Sequence, residues 1–145
     1  MEIRIRRGRR ADYEALRALG AWPMVERSPA RSTRLYRKAL SDLAYDLYVA
    51  DEGGTAIGMV IVSYARVLSL GGQRATLEEL VVRPDRRGAG LGRRLLELAI
   101  GRARRRGARA FEAWPSDETA ERFLDHFGLR RGAPRYSLPL AEDPP

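Results

Sequence analysis

The chain has 145 residues, 27 of them basic and 19 acidic, for a formal net charge of +8; at 44% hydrophobic and 32% charged it can pack one core but hardly two. Zero cysteines exclude a disulfide framework, a thiolate metal site and a cysteine nucleophile, while a single histidine, His126, excludes a His-rich zinc cluster and weakens a Ser-His-Asp reading. No apolar run approaches the roughly 20 residues that span a bilayer, and Met1 to Arg10 lacks the apolar stretch of a signal peptide. The expectation is a cytoplasmic single domain over residues 1–145, with no membrane partner and no metal.

Ile3 and Ile5 alternate with Arg4 and Arg6, which predicts a half-buried first strand. Asp12 is placed to cap a helix with Tyr13, Leu16 and Leu19 at helical spacing, ended by Gly20 and Pro23. Ala21 to Arg31 reads as a loop, and a second helix follows with Leu35, Ala39, Leu40 and Leu43 on one face. Leu47, Val49 and Ala50 lead into the turn Asp51-Glu52-Gly53-Gly54, from which a β-branched strand returns over Ala56 to Ala65. Gly71-Gly72 marks another hairpin, and Ala75 to Val82 is the next strand, closed by Pro84.

The period then changes. Leu91, Leu95, Leu98 or Ala99, and Ala103 form one apolar helical face, and Gly107 is placed as its stop. Ala108 to Trp114 reads as a short strand, and Pro115 with Ser116 or Asp117 opens a last helix whose inner side is Ala120, Phe123, Leu124 and Phe127, ended by Gly128. A final strand is predicted over Ser137 to Leu140. The order is strand, two helices, three antiparallel strands, helix, strand, helix, strand: an α/β domain with a mixed, mostly antiparallel sheet in which one helix links two parallel strands.

The charge is almost all arginine, since Lys38 is the only lysine, leaving 26 arginines from Arg4 to Arg135. They are spread along the chain, and no aromatic residue interleaves with a basic run as a base-stacking platform requires. Arg104-Arg105-Arg106 reads as a solvated helix end, and arginine over lysine fits a codon bias toward G and C. The segment Val82-Arg83-Pro84-Asp85-Arg86-Arg87-Gly88-Ala89-Gly90-Leu91-Gly92 is more informative. Three alternate glycines between a strand and a helix let the backbone approach a ligand, and the helix start suits a diphosphate. Arg87, Arg93 and Arg94 stand nearby as charged donors. The spacing is neither the dinucleotide fingerprint nor a P-loop.

Arg87-x-x-Gly90-x-Gly92, preceded by Val82-x-Pro84, resembles the acetyl-coenzyme A (acetyl-CoA) signature of the GNAT superfamily of N-acetyltransferases. Ile3 to Tyr13 resembles that family's opening strand and helix, Leu77-Glu78-Glu79-Leu80-x-Val82 its central strand, Asp117 to Leu129 its late helix, and Tyr136 to Leu140 its closing strand. The resemblance implies a GNAT-like domain in which Arg87, Gly88, Ala89, Gly90, Leu91, Gly92 and Arg93 hold the coenzyme A diphosphate. It implies that the strand Leu80, Val81, Val82 pairs with the pantetheine arm through its backbone, with Asp117 at a further contact. Two positions depart from the family: Asp117 stands where Asn is frequent, and Leu124 where a Tyr commonly protonates the departing thiolate.

Acetyl transfer needs a neutral amine, so a carboxylate must take a proton, directly or through water. Glu79, Glu78 and Glu112 are the candidates, and strict strand alternation sends Glu78 and Glu79 to opposite faces. Tyr136 or Ser116 could replace the missing acid, or the thiol could leave as thiolate, its pKa being near that of cysteine. His126 and Trp114 read as a helix-end and a core or cleft-wall residue, and the loop bearing Trp22, Met24 and Glu26 as the place where the family shapes its acceptor pocket. The leading expectation is an acetyl-CoA-dependent N-acetyltransferase acting on a primary amine of a small molecule or protein by direct transfer. The alternatives are a non-catalytic acyl-CoA-binding sensor domain and a basic nucleic-acid-binding module; a homodimer through the closing strand is left open.

Overall fold

The computed structural model describes residues 2–20 and 29–140; Pro23 and the readings placed on Trp22, Met24 and Glu26 lie outside them. The chain divides into two compact units, Met1–Trp114 and Pro115–Pro145.

In the first unit, β1 (Ile3–Arg7), α1 (Tyr13–Ala18), α2 (Pro29–Ser41), β2 (Tyr45–Glu52), β3 (Thr55–Val67), β4 (Gly72–Val82), α3 (Leu91–Arg105) and β5 (Ala110–Ala113) follow in chain order. The strands form one sheet in the order β1-β2-β3-β4-β5. The first three pairings are antiparallel and β4·β5 is parallel, joined through α3. The fold is α/β with a mixed, mostly antiparallel sheet, as the order of sequence periods implies. β3 and β4 run longer than their apolar cores, because Arg66 and Val67 still pair with Gln73 and Gly72.

Helices cover both faces. Along β3, Val60, Val62 and Tyr64 pack with Leu91, Leu95, Ala99 and Ala103 of α3, while Met59 and Ile61 pack with Leu16 of α1 and Tyr36 of α2. The α3 stripe is therefore the one its spacing predicts. The α2 stripe is so only in part, with Leu40 packed against the Tyr36 cluster as expected. The helix starts at Pro29, inside the expected loop, and ends at Ser41, before Leu43. Its buried side is Ser32 and Tyr36, whereas Leu35 is 54% and Leu43 89% exposed. Asp12 also departs from expectation. Its carboxylate accepts from the Arg9 amide at 2.7 Å and from both terminal nitrogens of Arg6 at 2.8 Å, leaving no side-chain cap on α1.

A buried carboxylate ties α3 to the sheet. Asp46 of β2 accepts from Tyr64 Oη at 2.7 Å, Arg102 at 3.2 Å and Arg106 at 3.5 Å. The Arg106 guanidinium lies 3.6 Å from the centroid of the Tyr64 ring, adding a cation–π contact. Burial and the hydrogen bond to Asp46 push the Tyr64 hydroxyl pKa up.

The second unit contains α4 (Glu118–Phe127), capped by Asp117, whose Oδ1 accepts from the Ala120 amide at 2.8 Å. Gly128 ends it with φ 108°, a left-handed conformation that suits glycine. The final strand predicted over Ser137 to Leu140 does not form: the segment has no regular structure, and Tyr136, Leu138 and Leu140 are 92%, 79% and 94% exposed. Pro139 has no N–H for a ladder, which outweighs the apolar alternation.

Replacing Asp46 by Ala leaves two arginines without their carboxylate and is expected to cost about 3 kcal/mol of unfolding free energy in urea denaturation. A loss below about 1 kcal/mol, the scale of an exposed ion pair, would contradict the anchoring role.

Candidate active site

The stretch between β4 and α3 begins with a 3-10 turn over Pro84–Arg86. Gly88 and Gly90 follow with φ of 83° and 82°. A Cβ at either position would meet nothing within 4 Å, so the requirement for glycine is conformational rather than steric. Gly90 is the N-cap of α3 and supplies no side-chain cap, and the first helical bond runs from the Arg94 amide to the Gly90 carbonyl at 3.0 Å. Amides that precede the first helical bond, Leu91 and Gly92 among them, point out of a helix start and suit an anion. Arg87 folds back so that its Nε donates to the Val82 carbonyl at 3.1 Å. Arg93 pairs with Glu97 at 3.0 Å, and Arg94 reaches toward the Ile3 carbonyl.

β4 is irregular where its two glutamates stand. Ile61 pairs with Glu79 and Val62 with Leu77, so Glu78 is an extra residue, a β-bulge. The side chains record it: Leu77, Leu80 and Val82 all pack on the α3 side, and Val81 on the other. Leu77 and Leu80 share a face although they are three apart. The expectation that Glu78 and Glu79 point to opposite faces is therefore wrong; both line one cleft beneath α2. The β4·β5 ladder also stops at Leu77, paired with Ala113, so the edge of β4 from Glu78 to Val82 is not covered by β5. The Arg83 amide bonds Ile57 across to β3 at 2.8 Å, so strand alternation turns the Val82 and Leu80 peptide groups toward that edge.

The cleft has a volume of about 550 Å³ and is walled by Ser32, Tyr36, Lys38, Ala39 and Asp42 from α2 and the turn after it, Tyr45 and Leu47 from β2, Ile61 from β3, and the two glutamates. Glu78 is exposed and accepts from Ser63 Oγ at 2.6 Å. Glu79 is half-buried, and burial, followed by repulsion from Glu78, pushes its carboxyl up to about 7. No cation among the described residues offsets that rise. Tyr36, whose hydroxyl donates to the Arg9 carbonyl at 2.5 Å, has its pKa raised by burial.

The other expected site residues stand elsewhere. Glu112 on β5 lies 3.7 Å from Arg74 and does not line the cleft, so the structure brings two of the three candidate carboxylates together. Asp117 caps α4, Leu124 is buried, Tyr136 is exposed, and His126 sits in the last turn of α4. Trp114 is 41% exposed, a partly open position rather than a core one. Sequence reasoning missed Ser32, Tyr36, Lys38, Asp42 and Tyr45. Their signal was the spacing of Ser32, Tyr36 and Ala39; Ala39 belongs also to the expected stripe with Leu35, which lines the cleft too. Among the described residues, no cluster of three or more His, Asp or Glu side chains is placed to hold a metal, and no helix is long and apolar enough to cross a membrane.

The model of the acetyltransferase (GNAT) family matches residues 13–129. The chain belongs to that family. No curated protein matches the sequence well enough to count as a relative. Among solved structures, a transcriptional regulator from Bacillus halodurans C-125 is similar with a TM-score of 0.81 at 22% identity, over 96% of this chain and 100% of that one. A glucosamine-6-phosphate N-acetyltransferase from Arabidopsis thaliana gives 0.80 at 17% identity, over 97% and 100%. A predicted acetyltransferase from Clostridium acetobutylicum, solved with acetyl-CoA, gives 0.77 at 14% identity, over 96% and 97%. At these identities the likeness shows the GNAT fold.

The raised carboxyl has a signed consequence for stability. Because the folded chain holds the Glu79 proton more tightly than an ordinary glutamate near 4.5, stability is lost as pH rises from there through about 7. Glu79→Gln is therefore expected to raise Tm at pH 8 relative to the unaltered chain, with little or no gain at pH 4. An equal shift at both values would contradict the half-buried carboxyl with its raised pKa.

Proposed function

We propose that the chain is an acetyl-CoA-dependent N-acetyltransferase that moves the acetyl group directly to a primary amine of a small molecule or protein, with residues 1–145 acting as one catalytic domain. The observation that carries this reading is the bulge in β4, which sets Glu79 in the cleft beside the strand edge that β5 leaves uncovered. The backbone of Leu80, Val81 and Val82 receives the pantetheine arm along that edge as an added strand. The amides and glycines from Arg87 to Arg93 receive the diphosphate at the start of α3. Asp117, already a helix cap, is the weakest of the proposed contacts.

Glu79 takes a proton from the ammonium form of the acceptor, directly or through one water, leaving the neutral amine. The amine nitrogen attacks the thioester carbonyl carbon, and a backbone amide at Leu80 or Val82 stabilises the oxyanion that forms. The carbon–sulfur bond then breaks, the amine nitrogen passes its second proton to solvent water, and coenzyme A leaves as thiolate. A side-chain acid is not required, since the thiol pKa is near that of cysteine, about 8.5. Glu78 stands beside Glu79 and is bonded to Ser63. Glu112, paired with Arg74 outside the cleft, is the last of the three candidates for base. Leu124 in place of an acid favours the second reading, a domain that binds acyl-CoA without turnover.

Millimolar coenzyme A is expected to raise Tm, and Gly90→Glu or Arg87→Glu to remove the rise; no shift in the unaltered chain would sink both readings. Thiol release from acetyl-CoA across a panel of amines separates them. Amine-dependent release should climb with pH through a midpoint near 7 as Glu79 loses its proton. Glu79→Gln should lower kcat about 100-fold or more and flatten that limb. Binding without amine-dependent release would favour the sensor.

A further inference from the structure

The stretch that precedes the glycines of the proposed diphosphate site is held by a charge cluster anchored in a distant hairpin. Arg86 donates from Nε to both carboxylate oxygens of Glu52 at 3.2 Å and from Nη2 to Oε1 at 2.5 Å. Arg83 lies 3.9 Å from the same carboxylate. Asp85 closes the group, 2.6 Å from Arg83 and 3.2 Å from Arg86. Two arginines thus face two carboxylates, and the Glu52 side chain is only 16% exposed.

Glu52 is itself well fixed. It is the last residue of β2, paired with Ile3 on one side and Thr55 on the other. A register shift between Ala50 and Asp51 precedes it, and the neighbouring Asp51 is held by Arg6 at 2.7 Å and by the Gly54 amide at 2.7 Å. The hairpin end is therefore a rigid post, and the 3-10 turn Pro84–Arg86 is tied to it.

We propose that Glu52 is a positioning residue for coenzyme A binding: by clamping Arg86 it fixes the turn Pro84–Arg86 and with it the course of the backbone from Arg87 to Gly90. This rests on the functional reading above. Gly88 and Gly90 give that backbone wide conformational freedom when unbound, so a fixed lead-in reduces the ordering that binding would otherwise require. The clamp also engages Arg83 and Arg86 with carboxylates, leaving recognition to the backbone amides.

The sign of one substitution separates this from simple electrostatics. Coenzyme A is anionic, so removing a nearby negative charge should strengthen its binding if charge alone matters. If the clamp matters, Glu52→Gln should weaken coenzyme A binding about tenfold by calorimetry, with kcat at saturating acetyl-CoA unchanged. Arg86→Lys, which keeps the charge but loses the fork, should weaken it similarly, and Glu52→Gln with Arg86→Gln should be little worse than Arg86→Gln alone. Hydrogen exchange should quicken at the amides from Arg86 to Gly90 in Glu52→Gln and not along β3. Binding as tight as, or tighter than, the unaltered chain in Glu52→Gln overturns the clamp alone; absence of coenzyme A binding by the unaltered chain overturns the functional reading and the clamp with it.

Discussion

The residue inserted at Glu78 governs the geometry around it. A strand carries side chains alternately to its two faces, and one extra residue reverses that alternation for everything beyond it. Before the bulge Leu77 faces α3; after it Leu80 and Val82 do so again, and Glu79 and Val81 take the α2 side. Glu78 joins Glu79 on the cleft wall instead of opposing it. The parallel ladder to β5 ends at the residue before the insertion. The irregularity thus sets a pair of carboxylates beside the strand edge that β5 leaves unpaired.

The arginine excess takes on a different meaning when its partners are counted by place. Arg6 is divided between Asp12 and Asp51, Arg86 and Arg83 face Glu52, and Arg102 and Arg106 converge on Asp46. Each of these clusters joins segments far apart in sequence: β1 to the β2–β3 hairpin, that hairpin to the stretch after β4, and α3 to β2. The forked guanidinium suits such junctions, since one side chain can bind two carboxylates or both oxygens of one. Against that background, Glu79 stands out because no arginine among the described residues offsets its burial.

Much of the architecture was legible in the sequence because it follows from apolar period and turn chemistry. Leu91, Leu95, Ala99 and Ala103 announce α3, Gly53-Gly54 the hairpin, and Gly107 and Gly128 the helix ends. The glycines after Val82 point to the proposed diphosphate site because few other settings need that run between a strand and a helix. What escaped were features decided by pairing. A bulge depends on how β3 and β4 register, and its trace in sequence is the three-residue spacing of Leu77 and Leu80 around two polar residues. Part of the α2 face escaped because Leu35 outranks Ser32 in hydropathy, while the fold buries Ser32 with Tyr36. The closing strand was overcalled because alternation of Tyr136, Leu138 and Leu140 cannot itself supply a ladder partner.

The claim on which the rest depends is that the bulge places Glu79, half-buried, beside a second carboxylate. A carbon-13 NMR titration of the Glu79 side-chain carboxyl in the folded chain measures this directly. The account predicts a midpoint near 7 that falls when Glu78 is changed to Gln. A midpoint near the ordinary 4.5, unmoved by that change, would contradict it.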